Sequence, residues 1–219
     1  MNTQASYFST AYFPPVEYMA RMMQADKILI EGQETYARQT YRNRCIIQSA
    51  NGPLMLTVPV RKIYGNHTRT SDIRVSYQYD WATLHIRALE AAYNASPYFL
   101  YYKDALQRTL SANHETLLGL NMALLKQIME WLNWEKEAGV TKTFHHRIPD
   151  GKDLRFVFHP GRTTENAPAF PVYIQVFSEK HGFQPNLSIL DLLFNLGNET
   201  TRYLAALNSG STEFLSGNT

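Results

Sequence analysis

A chain of 219 residues and 25.2 kDa, 44% hydrophobic and 18% charged, is long enough to bury one sizeable core and too apolar to be a mostly disordered polypeptide. Twenty-one Lys and Arg stand against nineteen Asp and Glu, a formal net charge of +2, which excludes a whole-surface binder of nucleic acid and makes any anion site a local one. The single cysteine, Cys45, excludes an internal disulfide and the two-cysteine zinc motifs, and no apolar run approaches the roughly 18 residues of a membrane span.

The start, Met1-Asn2-Thr3-Gln4, has no basic region followed by an apolar run, so the chain reads as cytoplasmic. Residues 7–13 read as a short strand stopped by Pro14-Pro15, and Pro15 is suited to open a helix. Val16, Met19, Ala20, Met22 and Met23 fall near helical spacing and predict an amphipathic helix over residues 16–25. Lys27-Ile28-Leu29-Ile30-Glu31 has the apolar centre of a buried strand, so this opening is a βαβ unit if its two strands pair in parallel. Strands over residues 42–48 and 54–60 flank Asn51-Gly52, a strong hairpin signal, with Pro59 at the end or edge of the second. A basic polar loop over residues 61–71 leads to a strand over residues 72–76.

The middle of the chain is helical. Asp80 is placed to cap a helix carrying Trp81, Leu84, Ala88, Ala91 and Ala92 on one stripe, ended by Ser96-Pro97. Residues 99–110 predict another helix, and residues 114–133 a long amphipathic one that forms a main wall of the core. After Gly139 a polar stretch reads as extended structure and loops, and residues 171–177 predict a final strand from their β-branched and aromatic content. Ser188 with Asp191 three residues on resembles a capping box for a helix over residues 187–196. Gly197 is its natural stop, and Asn198 is placed to cap a second short helix through Leu207. The tail over residues 208–219 has few apolar residues to anchor it and is expected to be mobile. These elements predict a mixed α/β fold, more α+β than doubly wound. It comprises a central mixed sheet with an antiparallel hairpin section and helices packed on it, in one domain over residues 1–207.

No phosphate-binding glycine loop, H-E-x-x-H or G-x-S-x-G motif occurs, and no cofactor is implied. In Tyr41-Arg42-Asn43-Arg44, alternation puts Arg42 and Arg44 on one side of a strand, about 6.8 Å apart along it. Two guanidiniums at that spacing can hold a phosphate or carboxylate, although the solvated face of an antiparallel sheet shows the same alternation. Arg61, Lys62, His67 and Arg69 add cations nearby in the sequence. His85, one turn after Trp81 on the edge of an apolar helical face, is either a general acid or base or a hydrogen-bonded core residue. His114, His145, His146, His159 and His181 lack a recognised metal-ligand spacing. Cys45 reads as a small buried hydrophobe rather than a nucleophile. Fourteen tyrosines suit a surface that holds polar ligands such as sugars, and equally suit half-buried packing.

Several stretches, in this order, resemble the WbqC-like family. They are Tyr12-Phe13-Pro14-Pro15, Arg42-Asn43-Arg44, Leu56-Thr57-Val58-Pro59-Val60, Trp81 with His85, Ala92-Tyr93 and Ser96-Pro97-Tyr98-Phe99. Tyr173-Ile174-Gln175-Val176-Phe177, Gly182-Phe183 and residues 185–194 continue the series, so the likeness runs from about Tyr12 to Leu204. The resemblance implies a bacterial, cytoplasmic protein of surface-polysaccharide or O-antigen biosynthesis. Its most concrete activity would be transfer of an acyl or aminoacyl group to an amino sugar carried on a nucleotide. Many members carry His-Gln-Pro where this chain has Phe8-Ser9-Thr10, which puts catalysis through that histidine in doubt. For such a ligand Arg42 and Arg44 suit the diphosphate, and Tyr12, Trp81 and Tyr93 suit the sugar. His85 is then the candidate base, and Asn43 the group that steadies the developing oxyanion. A non-catalytic sugar- or nucleotide-binding protein of the same pathway is the competing expectation.

Overall fold

The structure, a computed structural model, describes residues 4–161 and 168–210. Strand β1 (Ala5–Ser9), helix α1 (Val16–Met23) and strand β2 (Lys27–Glu31) form the expected βαβ unit, with Ala5 opposite Lys27 and Ser9 opposite Glu31 in parallel register. β1 is displaced toward the N-terminus of the expected strand. The chain leaves the sheet after Ser9 and turns through Phe13, at φ 43°, before the two prolines. Pro15 offers no side-chain cap to α1. Instead Val16 N donates to Leu187 O and Glu17 N to Asn186 Oδ1, so a distant segment supplies acceptors that a helix start lacks.

The hairpin follows as β3 (Arg44–Ser49) and β4 (Gly52–Thr57), antiparallel with Arg44 opposite Thr57. It stands as its own two-stranded sheet beside the central one. The strand expected over residues 72–76 contracts to β6 (Arg74–Val75), paired with β5 (Val60–Arg61), because residues 70–72 wind into a 3-10 turn. Helices α2 (Trp81–Tyr93), α3 (Phe99–Ser111) and α4 (Leu117–Trp131) lie close to the expected positions. Asp80 caps α2 by accepting from Thr83 N, and Thr116 caps α4 by accepting from Gly119 N. α4 buries Leu117, Leu120, Leu124 and Ile128 and is a wall of the core as expected.

Two short strands lie at the start of and within the stretch expected to be extended structure and loops. β7 (Ala138–Val140) and β8 (Gly151–Asp153) complete a four-stranded, all-parallel sheet in the order β7-β2-β1-β8. The chain closes with α5 (Ser178–His181), α6 (Ile189–Leu196) and α7 (Thr200–Ser209). The fold is thus mixed α/β: a parallel sheet, small antiparallel sheets and packed helices.

Three local expectations are corrected here. Residues 171–177 run without a ladder: Tyr173 and Gln175 are buried while Val172 and Ile174 are exposed, so the alternation is real, but side-chain hydrogen bonds rather than a neighbouring strand hold the segment. Ser188 does cap α6, accepting from Leu190 N, yet Asp191 does not close a capping box because its carboxylate is taken by groups outside the helix. Gly197, at φ 54°, ends α6 as expected, but Asn198 caps nothing: it lies inside a 3-10 turn, and α7 starts at Thr200. The expected mobile tail lies, from residue 211 on, outside the described residues.

Candidate functional site

All four central strands point the same way, so their carboxyl ends share one edge, the place where parallel sheets gather polar groups. Glu31 ends β2 there. Its Oε1 accepts from Thr141 Oγ1 at 2.6 Å and from Gln33 N at 2.8 Å, and its Oε2 from Arg155 at 3.2 Å. Arg155 is fully buried as a side chain and also grips Asp153 through two nitrogens. That pairing holds the Asp153 carboxyl below its ordinary range. Beyond Glu31 the chain stays on this edge because Tyr36 N donates to Thr68 O, Thr70 N to Glu34 O and Ser71 N to Gly32 O.

The same stretch separates the two arginines that the sequence pairs. β3 begins only at Arg44, so the strand alternation does not reach back to Arg42. Arg42 turns inward instead, 3% exposed, and donates from Nε and Nη2 to Glu34 Oε1 at 2.8 and 2.6 Å. Burial pushes the Glu34 carboxyl up in pKa, with Arg42 pulling against it, and Glu34 Oε2 is buried without a partner among the described residues. Arg42 is thus the counterion of a buried carboxylate, not one prong of a surface clamp. Nothing in the residue types drew attention to Glu34; only its place just past the carboxyl end of a parallel strand could have.

Arg44 faces the other way, into a cleft of about 710 Å³. Four cationic side chains line it, Arg38, Arg44, Arg61 and Lys62, together with Tyr36 and Asn43, and no carboxylate among the described residues lines it. Arg44 Nε is buried with no hydrogen-bond partner among the described residues. Asn43 donates its Nδ2 to Val58 O at 2.9 Å, leaving Oδ1 buried and unpartnered. Lys62 Nζ lies 5.7 Å from the centre of the Tyr36 ring. Burial pushes the Tyr36 phenol up to about 12, while Arg42, Arg44 and Arg38 pull it back. Sequence reasoning noted Arg61 and Lys62 as neighbours but missed Tyr36 and Arg38, which stand on a loop without periodicity. Arg69 turns to Gln33 Oε1 and His67 sits in an exposed 3-10 turn; neither lines the cleft.

The aromatic and imidazole candidates gather elsewhere. Tyr12, Trp81 and His85 pack as one buried cluster, with ring centres 5.2 Å apart for Trp81 and His85 and 5.7 Å for Tyr12 and His85. Burial pushes the His85 pKa down to about 4, opposed by a hydrogen bond to the Thr57 backbone. The ring is therefore neutral near pH 7. Its Nδ1 is hydrogen-bonded to the Tyr12 hydroxyl at 2.8 Å. Tyr93 belongs to neither group: its hydroxyl donates to the buried Asp191, whose carboxyl burial pushes up in pKa against the hydrogen bonds of Tyr173, Gln175 and Tyr93. Cys45 is fully buried, its thiol pushed well up by desolvation, as suits a small hydrophobe. At the position of the family's His-Gln-Pro, Phe8 packs on Tyr18 at 5.0 Å, and Thr10 Oγ1 accepts from Asn121.

The state of His85 sets a pH dependence. Its folded pKa lies below the ordinary value near 6.5, so its contribution to stability is full above that value and is lost as pH falls toward 4. The loss amounts to up to about 3 kcal/mol. Urea unfolding of wild type at pH 7.5 and 4.5 is expected to show this component, and His85→Gln to lack it. An unchanged difference in the variant assigns the effect to other groups.

Among the described residues no group of three or more His, Cys, Asp or Glu is placed to hold a metal ion, and no helix is long and apolar enough to cross a membrane. Fold and site together define a mixed α/β protein in which the chain leaving a parallel sheet and the base of a hairpin enclose a cation-lined cleft. A model of the WbqC-like protein family matches residues 10–159, and the chain belongs to that family. The uncharacterized protein Rv1507c of Mycobacterium tuberculosis is 29% identical over 219 residues, covering 88% of this chain and 94% of the relative. No solved structure matches the chain.

Proposed function

We propose that the protein binds a phosphate-bearing sugar, a nucleotide-linked amino sugar, in bacterial surface-polysaccharide biosynthesis, with its anionic part in the cleft of Arg38, Arg44, Arg61 and Lys62. The observation that carries this is four cations around one cleft that no carboxylate among the described residues lines, one of them with a buried Nε unpartnered among those residues. Arg44 Nε there offers a charge-assisted hydrogen bond that no group among the described residues uses. Asn43 supports the sugar part of the reading. Its free atom is an acceptor, suited to a hydroxyl or ammonium of the ligand rather than to an oxyanion.

A second reading, transfer of an acyl or aminoacyl group to the amine of that sugar, is favoured by the same Asn43 oxygen, which can orient an amine. In that reaction the amine nitrogen bonds to the acyl carbon, the donor's leaving group departs, and a base takes the ammonium proton. His85 is unprotonated near pH 7, as a base must be, but its Nδ1 is occupied by Tyr12 and the ring is not among the residues lining the cleft. Binding is therefore the better-supported role.

Calorimetric titration with inorganic pyrophosphate at low ionic strength tests the site. Wild type is expected to bind it, and Arg44→Gln to bind it at least about ten-fold more weakly, the loss of one charge-assisted contact. Equal affinity in the two proteins would show that the cleft is not the anion site.

A further inference from the structure

The cationic cleft does not end at Arg61. Arg61 also lines a second cleft of about 510 Å³, with Ile63, Arg74, Tyr77, Asn113, His114 and the carboxylate of Glu115, which Arg74 neutralises. Arg61 and Arg74 are register partners across the β5–β6 ladder, and Arg61 is the side chain common to both clefts. The two arginines are not equivalent. Arg74 is ion-paired with Glu115, whereas Arg61 has no ion pair among the described residues.

The second cleft differs in chemistry from the first. Tyr77 and Ile63 present apolar surface to solvent, 44% and 48% exposed. The Tyr77 ring is already held in place, its hydroxyl donating to His114 O at 3.2 Å and its centre 6.1 Å from that of Trp81. Asn113 and His114 add polar groups at the margin. A fixed aromatic face with polar neighbours suits a flat ring that carries hydrogen-bonding edges, and a polyanion beside it would meet the cations on the other side of Arg61.

We infer that the ligand is a nucleoside diphosphate derivative lying across both clefts, its phosphates among Arg38, Arg44, Arg61 and Lys62 and its nucleoside against Tyr77 beyond Arg61. This rests on the anion reading above and adds the direction in which the ligand runs: the sugar end lies toward Asn43 and the base end toward Tyr77. Arg61, between the two clefts, meets the phosphate that joins them.

The test compares calorimetric affinities of pyrophosphate, UDP, dTDP, GDP and CDP for wild type, Tyr77→Ala, Ile63→Glu and Arg44→Gln. At least one nucleoside diphosphate is expected to bind wild type about ten-fold or more tightly than pyrophosphate, the gain of one stacked base. Tyr77→Ala is expected to abolish that advantage and leave pyrophosphate binding unchanged. Ile63→Glu, at a loop residue 48% exposed, is expected to reduce the same advantage even if Tyr77→Ala folds poorly. Arg44→Gln weakens pyrophosphate and nucleotide alike. If pyrophosphate binds but no nucleoside diphosphate exceeds it, or if the advantage survives both variants of the second cleft, the nucleoside assignment is wrong while the anion site stands. If pyrophosphate does not bind wild type at all, the anion reading fails and this inference falls with it.

Discussion

Arg42→Met is expected to lower the unfolding free energy by about 3–5 kcal/mol, whereas Arg44→Gln, two residues away, is expected to change it by no more than about 0.5 kcal/mol. The difference follows from what each guanidinium touches. Arg42 and Glu34 are 4% and 3% exposed as side chains, and removing the arginine leaves a carboxylate in a site that already raises its pKa. Taking one partner from a buried ion pair costs far more than the pair itself contributes, because the remaining charge is neither solvated nor neutralised. Replacing both, as Glu34→Leu with Arg42→Met, is expected to recover most of the loss. Arg44 Nε has no partner to lose. Urea unfolding measures both effects, and an Arg42→Met protein within about 1 kcal/mol of wild type would contradict the buried-pair account. The same two variants divide in the opposite sense in anion titration, where Arg44→Gln is the damaged one.

The second large effect is expected at Asp191. Asp191→Ala should cost about 4 kcal/mol, because it strands the Tyr93 and Tyr173 hydroxyls at about 1–3 kcal/mol each without full additivity, while Gln175 Nε2 keeps Gln184 O as an acceptor. Tyr93 Oη donates to Oδ1 at 2.9 Å, and Tyr173 Oη and Gln175 Nε2 donate to Oδ2 at 2.5 and 2.9 Å. These donors come from α2 and from the extended run after residue 168, so one carboxylate ties α6 to both. Asp191→Asn, which keeps one acceptor oxygen, should cost less, about 1–2 kcal/mol. Chemical denaturation checks the order; an alanine variant no worse than the asparagine one would mean that the hydroxyls find other partners.

Much of the fold was legible because its elements carry local patterns. The Asp80 cap, the Asn51-Gly52 turn and the opening strand-helix-strand are readable within windows of a dozen residues or fewer; the helix after Asp80 was placed correctly but its expected stripe was not, since Leu84 and Ala91 are exposed and Ile86 and Leu89 are buried beside Trp81 and Ala92. What was not legible depends on partners far along the chain. β7 and β8 are three residues each, Ala-Gly-Val and Gly-Lys-Asp, with no apolar alternation of their own; they are strands only because β2 and β1 offer edges. Residues 171–177 erred in the other direction, since alternation reports which side chains are buried and not whether a backbone neighbour exists. The candidate site shows the same limit at finer grain. A two-residue shift in where β3 begins was enough to split Arg42 from Arg44, and Tyr12 joined Trp81 and His85, themselves one helical turn apart, through packing that no spacing in the sequence encodes.

The parallel sheet also has a bearing on biosynthesis. β1 is an inner strand flanked by β2 on one side and by β8 on the other, with Ala5 opposite Gly151. The first helix waits still longer, for acceptors at residues 186 and 187. A ribosome must therefore release most of this polypeptide before its opening segment acquires all its neighbours, and until then one edge of β1 stays open to pairing with other nascent chains.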